Sequence, residues 1–293
     1  MSGLIYSEGY HKIHPQIVPI YYRSWEGEAC RGTVICIHGA GGTSAEFIGL
    51  GEYLAEYGYR TVAFDFPGHG FTRLQPVADS QRLAFKMRVM AAIMQKYDGP
   101  KVMFCSSGGA IHGNLLLQNA KKHRWLAELS VIYAEPSFIV DDITRVFSES
   151  TAPFLLGRFA TLDQAVECWD ETQLGLVAFK SETCKRRYIS DWLTMSGDAL
   201  VVNVDRGEMR RVLEEAVTIV KSGGFNALSR GVPVNNRTLF IWGEFGTTKA
   251  KVEKILPDRF RNYSSVDVKK SAHPLSMTCD AELVAVRDFI DDV

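Results

Sequence analysis

Four short runs of β-branched and apolar residues punctuate the first half of the chain, and each ends abruptly in a polar turn. They are residues 33–37 (T-V-I-C-I), 60–66 (R-T-V-A-F-D-F), 101–105 (K-V-M-F-C) and 129–133 (L-S-V-I-Y). Runs of this kind suit strands covered on both faces, since a strand with one wet face would alternate with polar residues. Between them the apolar positions recur at helical spacing: Phe47, Leu50 and Leu54 within 45–57, then Leu83, Met87, Met90 and Ile93 within 79–97. Residues 110–120 form a third, more uniformly apolar helical segment. Gly58 and the D-G-P of 98–100 end the first two helices. Upstream, residues 1–30 predict two short strands, with an apolar stretch at 17–22 and turn chemistry around Gly27. The alternation of strand and helix predicts a mostly parallel sheet with helices on both faces.

The rhythm changes after residue 136. Residues 137–235 contain no strand run of comparable strength and are rich in helix formers, so they predict a helical insertion. The sheet pattern resumes at 237–242 (R-T-L-F-I-W), followed by a short helix at 249–255, a strand at 265–268 and a closing helix at 280–290. The predicted organisation is a core of 1–136 and 236–293 interrupted by a helical cap of 137–235.

Composition narrows the picture only a little. The 293 residues are 46% hydrophobic and 23% charged, enough apolar material for one sizeable core. A formal net charge of -1 gives no electrostatic case for nucleic acid or an acidic membrane surface. The six cysteines lack C-x-x-C spacing, which suggests reduced thiols. The N-terminus lacks a basic region followed by an apolar run, and no stretch is long enough to span a membrane; the expectation is a cytoplasmic protein. A homodimer is compatible with the sequence, though nothing in it argues for one.

The chemistry gathers at the strand ends. K-V-M-F-C-S-S-G-G (101–109) reads as a strand, a sharp serine-bearing turn and the start of a helix, the layout of a nucleophile elbow. Counting G-x-S-x-G back from Gly108 makes Ser106 the nucleophile, at the cost of Phe104 standing where glycine is expected. Counting from Gly109 makes it Ser107, with Cys105 as the small residue before it. Ser106 is the assignment carried forward; the bland alternative is an ordinary strand-helix turn, for which serine and glycine are common residues. H-G-A-G-G (38–42) follows the first strand run. It lacks the lysine and spacing of a phosphate-binding loop. D-F-P-G-H-G (65–70) follows the second run, and S-A-H-P (271–274) lies near the end.

Taken together, the order and spacing of these four motifs resemble the α/β-hydrolase fold, over nearly the whole chain apart from the insertion. That fold commonly carries a lid where the insertion lies. The C-S-S-G elbow, with a glutamate just after the following strand, also resembles zearalenone-type lactone hydrolases over short motifs. The resemblance implies a catalytic triad in the chain order serine, acid, histidine. A serine hydroxyl needs a base, and His273, after the last strand, stands where the fold puts it. The alternative for His273 is a loop histidine beside the last helix. The family's commonest site for the acid follows the strand at 237–242, but Gly246 occupies that place and Glu244 comes early in the turn. The other site used in the family follows the strand after the elbow, where Glu135 stands in A-E-P-S. Glu135 is therefore the expected acid, with Glu244 second and Asp141 and Asp142 remote. Backbone N–H groups of Ser107 and Ala40, or less readily Gly41, are the expected oxyanion donors. His38 reads as structural, His69 as part of a turn and His112 as a residue of the elbow helix; His11, His14 and His123 read as surface or edge residues. No pair has metal-site spacing, so neither metal nor cofactor is expected.

The implied activity is hydrolysis of a carboxylic ester or lactone through an acyl-enzyme. Carbon–carbon bond hydrolysis, cofactor-free oxygenation, acyl transfer to another acceptor, and a non-catalytic ligand-binding role compete with it. Dehalogenase and epoxide hydrolase chemistry would want an aspartate at the nucleophile position. Six aromatic residues of the insertion, Phe154, Phe159, Trp169, Phe179, Tyr188 and Trp192, either pack the cap or suit a bulky apolar substrate.

Overall fold

The structure is a computed structural model that describes residues 4–99, 101–118, 123–140, 142–221, 225–226, 234–246, 249–271, 273 and 275–292. The chain enters through two antiparallel strands, β1 (Ile5–His11) and β2 (Ile20–Glu26), and then follows the expected alternation. β3 (Thr33–Ile37) leads through a 3-10 turn (Ser44–Phe47) to α1 (Ile48–Glu56), and β4 (Arg60–Phe64) to α2 (Asp79–Met94). β5 (Lys101–Ser106) turns into α3 (Gly109–Leu117), and α4 (Arg124–Ala127) precedes β6 (Ser130–Ala134).

The next segment holds β7 (Ile139–Val140), α5 (Asp142–Leu155), α6 (Leu162–Asp170), α7 (Glu182–Trp192), β8 (Leu193–Ser196), β9 (Ala199–Val202), α8 (Arg206–Lys221) and β10 (Phe225–Asn226). The core resumes with β11 (Thr238–Gly243), α9 (Lys249–Glu253), α10 (Leu256–Arg259), β12 (Tyr263–Val268) and α11 (Asp280–Asp291). The eight-stranded sheet runs β1-β2-β4-β3-β5-β6-β11-β12. β1, β2 and β4 pair antiparallel; every pairing from β4 onward is parallel.

The central strands alternate between two apolar layers because successive side chains point to opposite faces. Cys105, Tyr133 and Trp242 face the layer that also holds Val89, Met90 and Ile93 of α2 and Leu116 of α3. Phe104, Ile132 and Ile241 face the other, closed by Leu50 and Leu54 of α1 and by Val286, Phe289 and Ile290 of α11. Both faces are dry, which is why the runs were unbroken.

Among the described residues, the segment between β6 and β11 adds no strand to the large sheet. It includes a small hairpin, β8–β9, beside its helices, which the absence of a strong apolar run had hidden. Its aromatic residues turn on each other. Trp169 is fully buried, with ring centroids of Phe154, Tyr188 and Trp192 at 5.0, 5.9 and 6.0 Å. The segment meets the core at several hydrogen bonds, among them Gly70 N–H to Asn203 O (2.7 Å), Asp205 N–H to Gly68 O (2.8 Å) and Ser276 Oγ to Ala178 O (2.7 Å). Among the described residues, no helix is long and apolar enough to cross a membrane.

Candidate active site

Parallel strands all end on one edge, so the turns after β3, β5, β6 and β11 and the loop before α11 converge there. One of them is the turn after β5. Ser107 has φ of 47°, a left-handed conformation that is uncommon for a residue with a side chain. Its N–H is taken by Ala134 O (2.9 Å), and its carbonyl accepts from Ser137 N–H (3.1 Å) and Ala110 N–H (3.1 Å). These bonds hold the strained residue in place, and its side chain stands out over the strand ends. Ser107 Oγ lies 2.8 Å from His273 Nε2 and 3.2 Å from Ser137 Oγ.

Ser106, the serine expected to be the nucleophile, does not meet His273. It is the last residue of β5, buried, and its hydroxyl donates to Glu46 Oε1 beneath the surface. The count from Gly109 is therefore the one that brings a serine to the histidine. On that count the first glycine of the pattern becomes Cys105, and the structure accommodates it from the other side: a Cβ at Gly113 on α3 would lie 2.5 Å from Cys105 Sγ. Phe104 sits one residue deeper, fully buried against Phe47 with ring centroids 5.7 Å apart, and takes no part in the turn. The expected use of the Ser107 amide as an oxyanion donor also needs correcting, because that N–H is already bonded to Ala134 O. Ala40, the other expected donor, lies exposed beside the elbow, its nitrogen 3.2 Å from where a Cβ at Gly108 would be.

Glu135 leaves β6 with φ of 46°, a second non-glycine residue in the left-handed region. Backbone held this way costs on the order of 1–3 kcal/mol and persists only where the surroundings impose it. Its carboxylate is 1% exposed; Oε1 accepts from Gly243 N–H, and Oε2 lies 3.8 Å from His273 Nδ1. That distance exceeds a hydrogen bond but suits an ion pair once the ring is protonated. Gly246 explains how the carboxylate fits, since a Cβ there would sit 2.2 Å from Glu135 Oε1. The place left empty by the missing aspartate is filled by Glu135 arriving from β6. Glu244 points elsewhere, accepting from Lys270 N–H (2.8 Å). Asp141 and the side chain of Asp142 lie outside the described residues.

The H-G-A-G-G loop is braced from below. Burial pushes the pKa of His38 well down, and the neutral ring donates from Nδ1 to Gly39 O (2.8 Å) while Nε2 accepts from Phe66 N–H (3.1 Å). Asp65 accepts from Ser44 N–H (2.6 Å) and Phe71 N–H (2.9 Å). From the insertion, Met209 and Leu155 lie over the loop: a Cβ on Gly41 would meet Met209 Cε at 2.8 Å and Leu155 Cδ2 at 3.8 Å. Ser137 and Glu46 were not anticipated. Ser137 is adjacent to Pro136 in A-E-P-S and gives no signal of its own. T-S-A-E (43–46) has capping-box spacing, which would turn Glu46 back to the Thr43 amide; instead its carboxylate reaches Ser106 and Gly39.

A family model described as the α/β-hydrolase fold matches residues 32–125. By sequence the chain matches none of the curated proteins. Among solved structures it is similar to an α/β hydrolase from Novosphingobium aromaticivorans, with a TM-score of 0.70, 13% identity and full coverage of both chains. It is also similar to E-2-(acetamidomethylene)succinate hydrolase, with a TM-score of 0.72, 17% identity and coverage of 98% of this chain and 100% of that one. A third is the N-acyl homoserine lactonase AidH, with a TM-score of 0.62, 18% identity and coverage of 99% and 97%. With its sheet order, its elbow and these likenesses in agreement, the chain is a protein of the α/β-hydrolase fold.

Proposed function

We propose that this protein is a serine hydrolase acting on a carboxylic ester or lactone, with Ser107 as nucleophile, His273 as base and Glu135 as the acid that orients it. The observation that carries this reading is the 2.8 Å contact of Ser107 Oγ with His273 Nε2 on a residue held at φ 47°. In the first step Ser107 Oγ attacks the substrate carbonyl carbon and its proton passes to His273 Nε2. Glu135 then pairs with the imidazolium at Nδ1. The oxyanion is received by the N–H groups of Gly108, the residue after the nucleophile, and Ala40. Collapse breaks the acyl–oxygen bond, and His273 returns the proton to the leaving alkoxide. Water, deprotonated by the same nitrogen, adds to the acyl-enzyme; collapse releases the acid and restores Ser107. A lactone leaves as a single hydroxy acid.

Met209 and Leu155 above the oxyanion loop favour an apolar acyl portion, and the insertion serves as the cap over the site. The ester or lactone class rests on the triad chemistry and on the early acid at Glu135, the feature behind the resemblance to zearalenone-type lactone hydrolases. A small molecule is the proposed partner.

The test is intact-mass detection of fluorophosphonate labelling, with a p-nitrophenyl ester burst, on wild type, Ser107→Ala and Ser106→Ala. Wild type and Ser106→Ala should take one label, while Ser107→Ala should take none and lose turnover by a factor on the order of 10³ or more. Labelling that survives Ser107→Ala and disappears in Ser106→Ala would return the nucleophile to Ser106.

A further inference from the structure

Glu46 is a buried acid that the triad does not use. It is 3% exposed and lies in the 3-10 turn after the H-G-A-G-G loop. One carboxylate oxygen takes the Ser106 hydroxyl, from the strand that carries the elbow; the other takes Gly39 N–H (3.4 Å), from the loop that carries Ala40. The loop also folds around it, since a Cβ on Gly42 would lie 2.6 Å from Oε2. One side chain therefore ties the two backbone segments whose N–H groups would have to receive an oxyanion together. We propose that Glu46 is a positioning residue that fixes the oxyanion loop against the nucleophile elbow. This extends the serine-hydrolase reading and rests on it. It also gives Ser106 a role, as the anchor of this brace on β5.

The physical case follows from what oxyanion stabilisation requires. Donors help only if they are already aimed at the developing charge, because reorienting them during reaction consumes the advantage. The Ala40 segment is glycine-rich on both sides, and Glu46 adds a second hold on it beside the one that the His38 ring gives through Gly39 O (2.8 Å). Glu46 is itself titratable. Burial pushes its pKa up to about 7, opposed by the bonds from Ser106 and Gly39 and by the charge of His273. The other titratable groups that feel it are the buried Cys36 thiol on β3 and the Tyr188 phenol on α7, both pushed up by burial and neutral at pH 7.

The test uses Glu46→Gln, which keeps the volume but removes the charge, and Glu46→Ala, which removes the brace. Turnover is read per fluorophosphonate-titrated site, so misfolded protein does not count. Glu46→Ala should lose about 10- to 100-fold in kcat with KM little changed, as expected when donors important in the transition state lose their aim. Glu46→Gln, which keeps one acceptor for the two donors, should lose less in kcat than Glu46→Ala. A purely structural Glu46 would lower the melting temperature and leave kcat per site where it is in wild type; that result would overturn the proposal. If wild type neither labels nor turns over, the hydrolase reading fails by itself. Amide hydrogen exchange at Gly39 and Ala40 still decides the brace, and unchanged protection in Glu46→Ala overturns it.

Discussion

The rim where the parallel strands end and the insertion that lies over it solve opposite problems. The rim buries polar and charged groups, Ser106, Glu46, Asp65 and Glu135, and holds Ser107 and Glu135 in left-handed backbone. The insertion buries aromatic rings against one another around Trp169, with several ring centroids about 5–6 Å apart. The rim accepts strain and desolvation in exchange for aimed groups. The insertion gains apolar burial and aromatic contact. Substitutions in the two should therefore fail differently, the rim in chemistry and the insertion in stability.

The largest separation should come from the acid. Glu135→Gln can still accept Gly243 N–H but carries no charge to orient or stabilise His273. Activity should fall by about 10²- to 10⁴-fold, with the denaturation midpoint nearly unchanged. Steady-state kinetics beside a urea titration measures both; unchanged kcat would remove Glu135 from the proposed triad. Trp169→Ala is the counterpart in the insertion. Emptying so large a buried site should cost about 3–5 kcal/mol in unfolding free energy. Folded molecules, counted by titrated site, should retain their rate of fluorophosphonate labelling. A large drop in that rate with stability intact would mean the aromatic cluster reaches the substrate after all.

The seam between the regions gives the smallest effect. Glu282 on α11 is fully buried near Ser276, whose hydroxyl bonds to Ala178 of the insertion, and burial pushes its pKa up to about 7. The folded value is raised, so the unfolded chain releases this proton first as pH rises. The associated stability is present below about pH 4.5 and is lost on passing through about pH 7. Comparing Glu282→Gln with wild type cancels the other buried groups. The variant should gain on the order of 1–3 kcal/mol relative to wild type between pH 5 and pH 8, by urea unfolding at each pH. Parallel pH curves for the two proteins would show that Glu282 does not titrate in this range.

The strand runs were legible because dry strands need continuous apolar sequence, and the order of the turns followed from them. The proximity of Glu135 to His273 was legible too, because a glutamate between a buried strand and a proline stands out where Gly246 leaves the usual place empty. The insertion's hairpin was not, since β8 and β9 are short and lack a distinctive apolar run. Nor was the choice between adjacent serines. Ser106 and Ser107 are chemically identical in sequence, and a single residue of backbone rotation decides which hydroxyl faces His273 and which faces Glu46. That rotation is set by contacts from distant parts of the chain, including Ala134, Ser137 and Gly39 near the elbow. The accommodation of Cys105 by Gly113 is equally invisible without the helix packed in place.

The sequence by itself determined the alternation, the sheet's two dry faces and the set of polar residues gathered at its edge. These follow from local periodicity and turn chemistry, which each segment carries alone. Tertiary structure alone decided which serine meets the histidine, which one turns to Glu46, and that Glu46 reaches Gly39 as well. Those outcomes depend on ångström-scale distances between segments far apart in the chain, and no local preference encodes such a distance.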